Sequence, residues 1–79
     1  MIIIGRNSVI EAIKKDRTLD TIFIKSGDKD ERLRYIISIA KNKKILIKEV
    51  DKKKLDSMSD GENHQGVIAS VSEYEYYEF

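Results

Sequence analysis

Asn63, His64, Gln65 and Gly66 run directly into the apolar residues Val67, Ile68, Ala69 and Val71, and His64 is the sole histidine of the 79-residue chain. An imidazole beside amide side chains and a glycine offers hydrogen-bond donors, acceptors and room for close backbone approach. That is the chemistry of holding a polar ligand. The same four residues also suit a plain turn, with Asn63 and His64 as caps and Gly66 supplying a positive φ. Two other clusters could contact an anion or a base edge. In Gly5-Arg6-Asn7, arginine can pair bidentately with phosphate or stack on a base, and the amide can read an exposed base edge. The loop could equally do no more than cap the helix that follows it. Lys52, Lys53 and Lys54 form the third cluster.

Catalysis by this chain alone is not expected. The four glycines (5, 27, 61 and 66) are scattered and make no phosphate-cradling loop, and no nucleophile, base and orienter can be built around one histidine. With no cysteine, the chain has neither a disulfide framework nor a thiolate zinc site, and a lone histidine cannot make a His-rich one. Metal ligands are therefore not assigned.

A chain this short is one small domain that buries only about 60% of its unfolded surface, so a large enclosed active site is not expected. No apolar run approaches a membrane span, and the start Met1-Ile2-Ile3-Ile4 lacks the basic region and cleavage site of a signal peptide. A cytoplasmic protein without membrane attachment is the expectation. Fifteen basic and 14 acidic residues give a formal charge of +1, but the charges are unevenly spread. Seven lysines (41, 43, 44, 48, 52, 53 and 54) fall within one segment, whereas Asp56, Asp60, Glu62, Glu73, Glu75 and Glu78 make the last third acidic. One side of the molecule is expected to be basic and the other acidic.

The elements that position these residues follow from hydrophobic spacing. The first β-branched run stops at Gly5, and Ser8 with Glu11 has capping-box spacing, predicting a helix over about 9–15 with Val9, Ile10, Ala12 and Ile13 inward. Thr21, Ile22, Phe23 and Ile24 predict a strand. Asp28 with Glu31 predicts the cap of a second helix, whose stripe of Leu33, Ile36, Ile37 and Ala40 is broadened by Tyr35 and Ile39. Ile45, Leu46 and Ile47 predict a third strand. Asp51 caps a short helix carrying Leu55 and Met58 that ends near Asp60-Gly61. Lys41 to Lys44 suit a helix C-terminus, but Lys52, Lys53 and Lys54 in a first turn oppose the helix dipole. A last, central strand starts at Val67. Alternating strands and helices predict a mostly parallel sheet covered by helices. Ligands then collect at one sheet edge. Residues 5–7 lie at that edge, and residues 63–65 join them only if the last strand runs antiparallel.

Gly5-Arg6-Asn7-Ser8-Val9-Ile10-Glu11-Ala12-Ile13, with Leu55-Asp56 and the stretch from Asp60-Gly61-Glu62-Asn63-His64-Gln65-Gly66 through Val67-Ile68-Ala69, resembles the N-terminal substrate-binding domain of the SpoU/TrmH family of RNA ribose 2'-O-methyltransferases. The likeness is closest to the bacterial enzymes that methylate a guanosine ribose in large-subunit rRNA. It implies an L30e-like α/β fold, a three-layer α/β/α sandwich with a mixed sheet of about four strands and three helices. It also implies a non-catalytic RNA-binding domain over residues 1–72 that delivers rRNA to a separate C-terminal knotted domain. That domain would bind S-adenosylmethionine and form the family's dimer. No cofactor is expected within these 79 residues. Residues 73–79 would begin the linker, and the isolated domain would be a monomer.

The RNA-binding residues expected from the motifs and charge are Gly5, Arg6, Asn7, His64, Gln65, Lys52, Lys53 and Lys54, with the basic segment 41–54 supplying salt-sensitive attraction to phosphate. Arg6→Ala and Gln65→Ala would then weaken RNA binding without changing thermal stability, since both are read as exposed loop residues. Gly5-Arg6-Asn7 also looks like the Gly-x-Asn-Glu loop of L7Ae-type proteins that grip kinked RNA. Ser8 stands where that glutamate would be, which puts a standalone kink-turn binder in doubt. The rival reading is a protein interaction module that docks on the catalytic domain, with Tyr74, Tyr76, Tyr77 and Phe79 as interface aromatics.

Overall fold

The computed structural model describes residues 2–15 and 19–71. Its elements are β1 (Ile2–Ile4), α1 (Arg6–Lys14), β2 (Leu19–Lys25), α2 (Glu31–Asn42), β3 (Leu46–Val50), α3 (Lys52–Ser59) and β4 (Val67–Val71). The sheet order is β1-β4-β2-β3, so β4 is central as its apolar run requires. Only β2 and β3 pair parallel; β4 is antiparallel to both β1 and β2. The expected mostly parallel sheet is thus a mixed one. The reason lies in α3, which is only 8 residues long and stops at Asp60, whose φ of 54° and ψ of 43° turn the chain left-handed. The chain then re-enters the sheet at the edge it had left at Val50.

Strand alternation divides the apolar residues between two faces. Ile22, Ile24, Val67 and Ala69 form one core with Val9, Ile10 and Ile13 of α1 and Leu33, Ile36 and Ala40 of α2. Ile68 points to the other face, where Leu55 of α3 is also fully buried. Helices on both faces of the sheet make three layers, as the sequence resemblance implied. Each fully buried aliphatic side chain contributes about 1.5–3 kcal/mol.

The helix stripes are where the spacing put them, but two caps are not. Ser8 is no N-cap: α1 already begins at Arg6, behind Gly5 at φ 96°, and no side chain of the Gly5 position can cap it. Asp30 rather than Asp28 caps α2, its Oδ1 accepting the Leu33 N–H at 3.0 Å. Asp51 caps α3 as expected, accepting from the Lys54 N–H at 2.9 Å. Tyr35 does not broaden the buried stripe; it is 43% exposed. The third strand begins one residue later than its apolar run, because Lys44 at φ 61° reverses the chain and the Ile45 N–H closes α2 on the Ala40 carbonyl at 2.9 Å. The proposed linker, residues 73–79, lies outside the described residues.

The basic segment runs along edge strand β3, with the exposed Lys48 within it. Lys41 and Lys44 sit at the C-terminal end of α2, before β3, whereas Lys52, Lys53 and Lys54 follow it. The five residues of β3 separate the two groups by roughly 17 Å at about 3.3 Å per residue.

Candidate functional site

β1, β2 and β3 end, and β4 begins, at one edge of the sheet. Ile4 lies opposite Ile68, Ile24 opposite Val67, and Lys25 beside Val50. The antiparallel course of β4 therefore brings Gly5, Arg6 and Asn7 together with Asn63, His64, Gln65 and Gly66, and adds Lys25 and the first turn of α3.

The loop before β4 is a tight turn. Gln65 and Gly66 have φ of 55° and 87°, and the Val67 N–H donates to the His64 carbonyl at 3.1 Å. Two successive positive φ values are what a type I′ turn needs, and glycine takes the second at no steric cost. Side chains hold the turn from within. Asn63 Oδ1 accepts the Gln65 N–H at 3.3 Å, and His64 Nδ1 accepts the Gly66 N–H at 2.9 Å. The second contact fixes the tautomer: the proton sits on Nε2, which donates to Asp56 Oδ1 at 2.7 Å. His64 is 7% exposed, so its ring is a strut between α3 and the turn with neither nitrogen left for a ligand in this arrangement.

Gln65 joins the turn to α1. Its Oε1 accepts the Arg6 N–H at 3.1 Å, and its carbonyl accepts from Arg6 Nε at 2.9 Å. Gln65 thus supplies the N-terminal acceptor that α1 lacks locally. Arg6 and Gln65 are consequently not free loop residues, and removing either is expected to cost stability, contrary to the reading from sequence. Arg6 Nη1 also pairs with Asp30 Oδ2 at 2.7 Å. The Leu33 N–H and then the Arg6 guanidinium hold the exposed Asp30 carboxyl below its ordinary value of 3.8. Asn7 is bound across the helices, its Oδ1 accepting from Arg32 Nη2 at 2.6 Å.

A shallow groove of about 480 Å³ runs along this edge, lined by Arg6, Lys25, Lys52, Asp56, Glu62, Asn63, His64, Gln65 and Gly66. Lys52 reaches it, while Lys53 and Lys54 are exposed elsewhere on the first turn of α3. The amides share one orientation. Asn7, Asn63 and Gln65 each spend their oxygen on a donor within the chain, which leaves the amide N–H₂ groups as donors. Gly5, Arg6, Asn7, Gln65, His64 and Lys52 are therefore brought together. Asn63, read from the sequence as part of the polar turn, lines the groove with them, whereas Lys25, Asp30, Arg32 and Asp56 were missed as members of the candidate site. Lys25 gains its place only from the strand register, and Asp30, Arg32 and Asp56 from contacts across separate elements.

Residues 2–77 match the family model described as RNA 2'-O ribose methyltransferase substrate binding. The chain is 42% identical over 76 residues to YacO of Bacillus subtilis (strain 168), named a TrmH family tRNA/rRNA methyltransferase, covering 96% of this chain and 30% of the relative. A Staphylococcus haemolyticus (strain JCSC1435) protein named for the same family is 37% identical over 79 residues, covering 100% of this chain and 31% of its own length. One from Staphylococcus aureus (strain COL) is 38% identical over 78 residues, covering 99% and 31%. The chain thus spans about a third of the length of these relatives. A match across almost all of its residues shows that the chain belongs to the family of RNA 2'-O ribose methyltransferase substrate-binding domains.

Proposed function

We propose that this chain binds rRNA, most specifically looped RNA of the large ribosomal subunit, and presents it to a catalytic domain in the same protein. In this reading the chain itself is non-catalytic and works in the cytoplasm. Among the described residues no helix is long and apolar enough to cross a membrane. The catalytic domain would transfer a methyl group from S-adenosylmethionine to a ribose 2'-hydroxyl. In this reading the cofactor belongs to the catalytic domain; among the described residues the sheet-edge groove is shallow and the glycines are dispersed among separate turns. The contribution of the 79 residues is binding and orientation.

The observation that carries the reading is the inward turn of the amide oxygens at the edge. An edge whose amide oxygens are spent internally, and whose Asn63 and Gln65 share a groove with Lys25 and Lys52, suits an acceptor-rich ligand. A phosphodiester with exposed base carbonyls has that chemistry. Glu62 at the rim and the Arg6–Asp30 pair oppose indiscriminate anion binding.

The test is titration of labelled large-subunit rRNA hairpins at low salt while backbone amide NMR shifts are followed. Shifts that include residues 5–8, 52 and 63–66, with affinity falling steeply as salt rises, are expected. Absence of any shift overturns the reading. Salt-insensitive association with the catalytic domain, without RNA binding, would assign the edge to protein docking instead.

A further inference from the structure

We propose that the outer face of α2, centred on Tyr35, is a second contact for RNA that stacks one unpaired base; this rests on the RNA-binding reading of the sheet edge and extends it. Tyr35 is 43% exposed although the inner face of α2 is already filled by Leu33, Ile36 and Ala40, each fully buried. The core has no need of it. A shallow depression of about 560 Å³ surrounds the ring, lined by Glu31, Arg32, Arg34, Tyr35 and Ser38. Lys14 of α1 places its Nζ 5.9 Å from the ring centroid, within cation–π range.

Two features select RNA as the occupant. The first is charge: Arg32, Arg34 and Lys14 surround the ring against Glu31 alone, and Arg34 forms no ion pair with a described residue. The second is continuity with the edge. Arg32 donates to Asn7 Oδ1 at 2.6 Å, so one residue lines the depression and also holds the loop of the first site. A strand leaving the edge past Asn7 meets the Arg32 guanidinium and then the tyrosine ring. Single-stranded nucleic acids are bound by this combination of basic side chains and an exposed aromatic platform, and an extruded base supplies the π-face.

The experiment is fluorescence anisotropy of a fluorescein-labelled RNA hairpin with an unpaired purine-rich loop, titrated with the 79-residue chain and its variants at low salt. Tyr35→Ala is expected to raise Kd by about 5- to 150-fold, the range supplied by one base–aromatic stack. Tyr35→Leu, which keeps apolar bulk without a π-face, should weaken binding as Ala does, and Tyr35→Phe should stay within about twofold. Tyr35→Phe should keep the parent's urea midpoint, and Tyr35→Ala and Tyr35→Leu should stay folded at low denaturant with only a modest loss, because the residue is 43% exposed and outside the buried core. Tyr35→Ala and Tyr35→Leu binding within twofold of the parent, while Lys52→Ala binds more weakly, would overturn the second contact and leave the edge reading intact. Tyr35→Phe losing as much as Tyr35→Ala would assign the effect to the hydroxyl and overturn stacking. No binding by the parent chain at all would overturn the edge reading and this contact with it.

Discussion

Gln65 carries two loads that its position in the sequence does not announce. Its Oε1 satisfies the first N–H of α1, and its backbone sits at φ 55° in the turn before β4. Gln65→Ala removes the acceptor and leaves the turn in place, so it should lower stability by about 0.5–2 kcal/mol, the usual worth of a helix cap. Urea denaturation measures this, and a midpoint equal to the parent's would show that solvent replaces the Oε1 acceptor without loss. Asp30 provides a pH signature. Its folded pKa is lowered, first by the Leu33 N–H and then by Arg6, so its stabilising effect is present above the unfolded value of 3.8 and is lost as pH falls through the folded value. Asp30→Asn keeps an N-cap but gives up the charge. The parent should therefore be the more stable of the two at neutral pH, with the gap in thermal midpoint closing as pH drops below 3.8. A gap independent of pH would mean that the Arg6–Asp30 pair contributes nothing in solution.

At the scale of elements, both Lys44 and Asp60 occupy the left-handed position after a helix. Around Lys44 the Ile45 N–H reaches Ala40 at 2.9 Å and the Lys44 N–H reaches Lys41 at 3.0 Å; around Asp60 the Gly61 and Asp60 N–H groups reach Asp56 and Ser57, each at 3.4 Å. These are Schellman closures without the glycine that normally makes them cheap. Lys44→Gly should stabilise the chain by about 1 kcal/mol, the left-handed penalty less the added entropy of glycine; a lower urea midpoint would show that the lysine side chain offsets the strain. Helix interiors were legible from the sequence because Val9, Ala12 and Ile13, or Leu33, Ile36 and Ala40, repeat with the helical period. Their ends were legible only where the cap is local. Asp51 could be identified because it binds Lys54 three residues on, whereas the partner of the α1 N-terminus is 59 residues away. Ser8 satisfied the capping-box pattern, but Gly5 had already turned the chain into the helix. The reversal of β4 was equally hidden, since it depends on where an 8-residue α3 leaves the chain and not on any residue of β4 itself.

For the whole molecule, the consequence of the mixed sheet is that the polar loops of the candidate site gather at one edge while the lysines do not. Seven lysines cluster in sequence, but β3, with Lys48 at its middle, carries Lys41 and Lys44 roughly 17 Å from Lys52, Lys53 and Lys54. The Debye length at physiological ionic strength is about 8 Å, so Lys41 and Lys44 are screened from a ligand held at the edge by Lys52. Lys52→Ala should therefore flatten the dependence of log K on log salt for rRNA hairpins by about 0.7–0.9, one phosphate contact, whereas Lys41→Ala and Lys44→Gly should leave the slope unchanged. The same Lys52→Ala substitution relieves a cation at the positive end of α3 and should raise stability by about 0.3–1 kcal/mol. Tighter folding with weaker, less salt-sensitive binding is the pattern of a lysine kept at this position for its ligand. Equal slope losses from Lys41→Ala and Lys52→Ala would instead mean that RNA wraps both ends of the sheet, and the groove beside Gln65 would then be one contact among several.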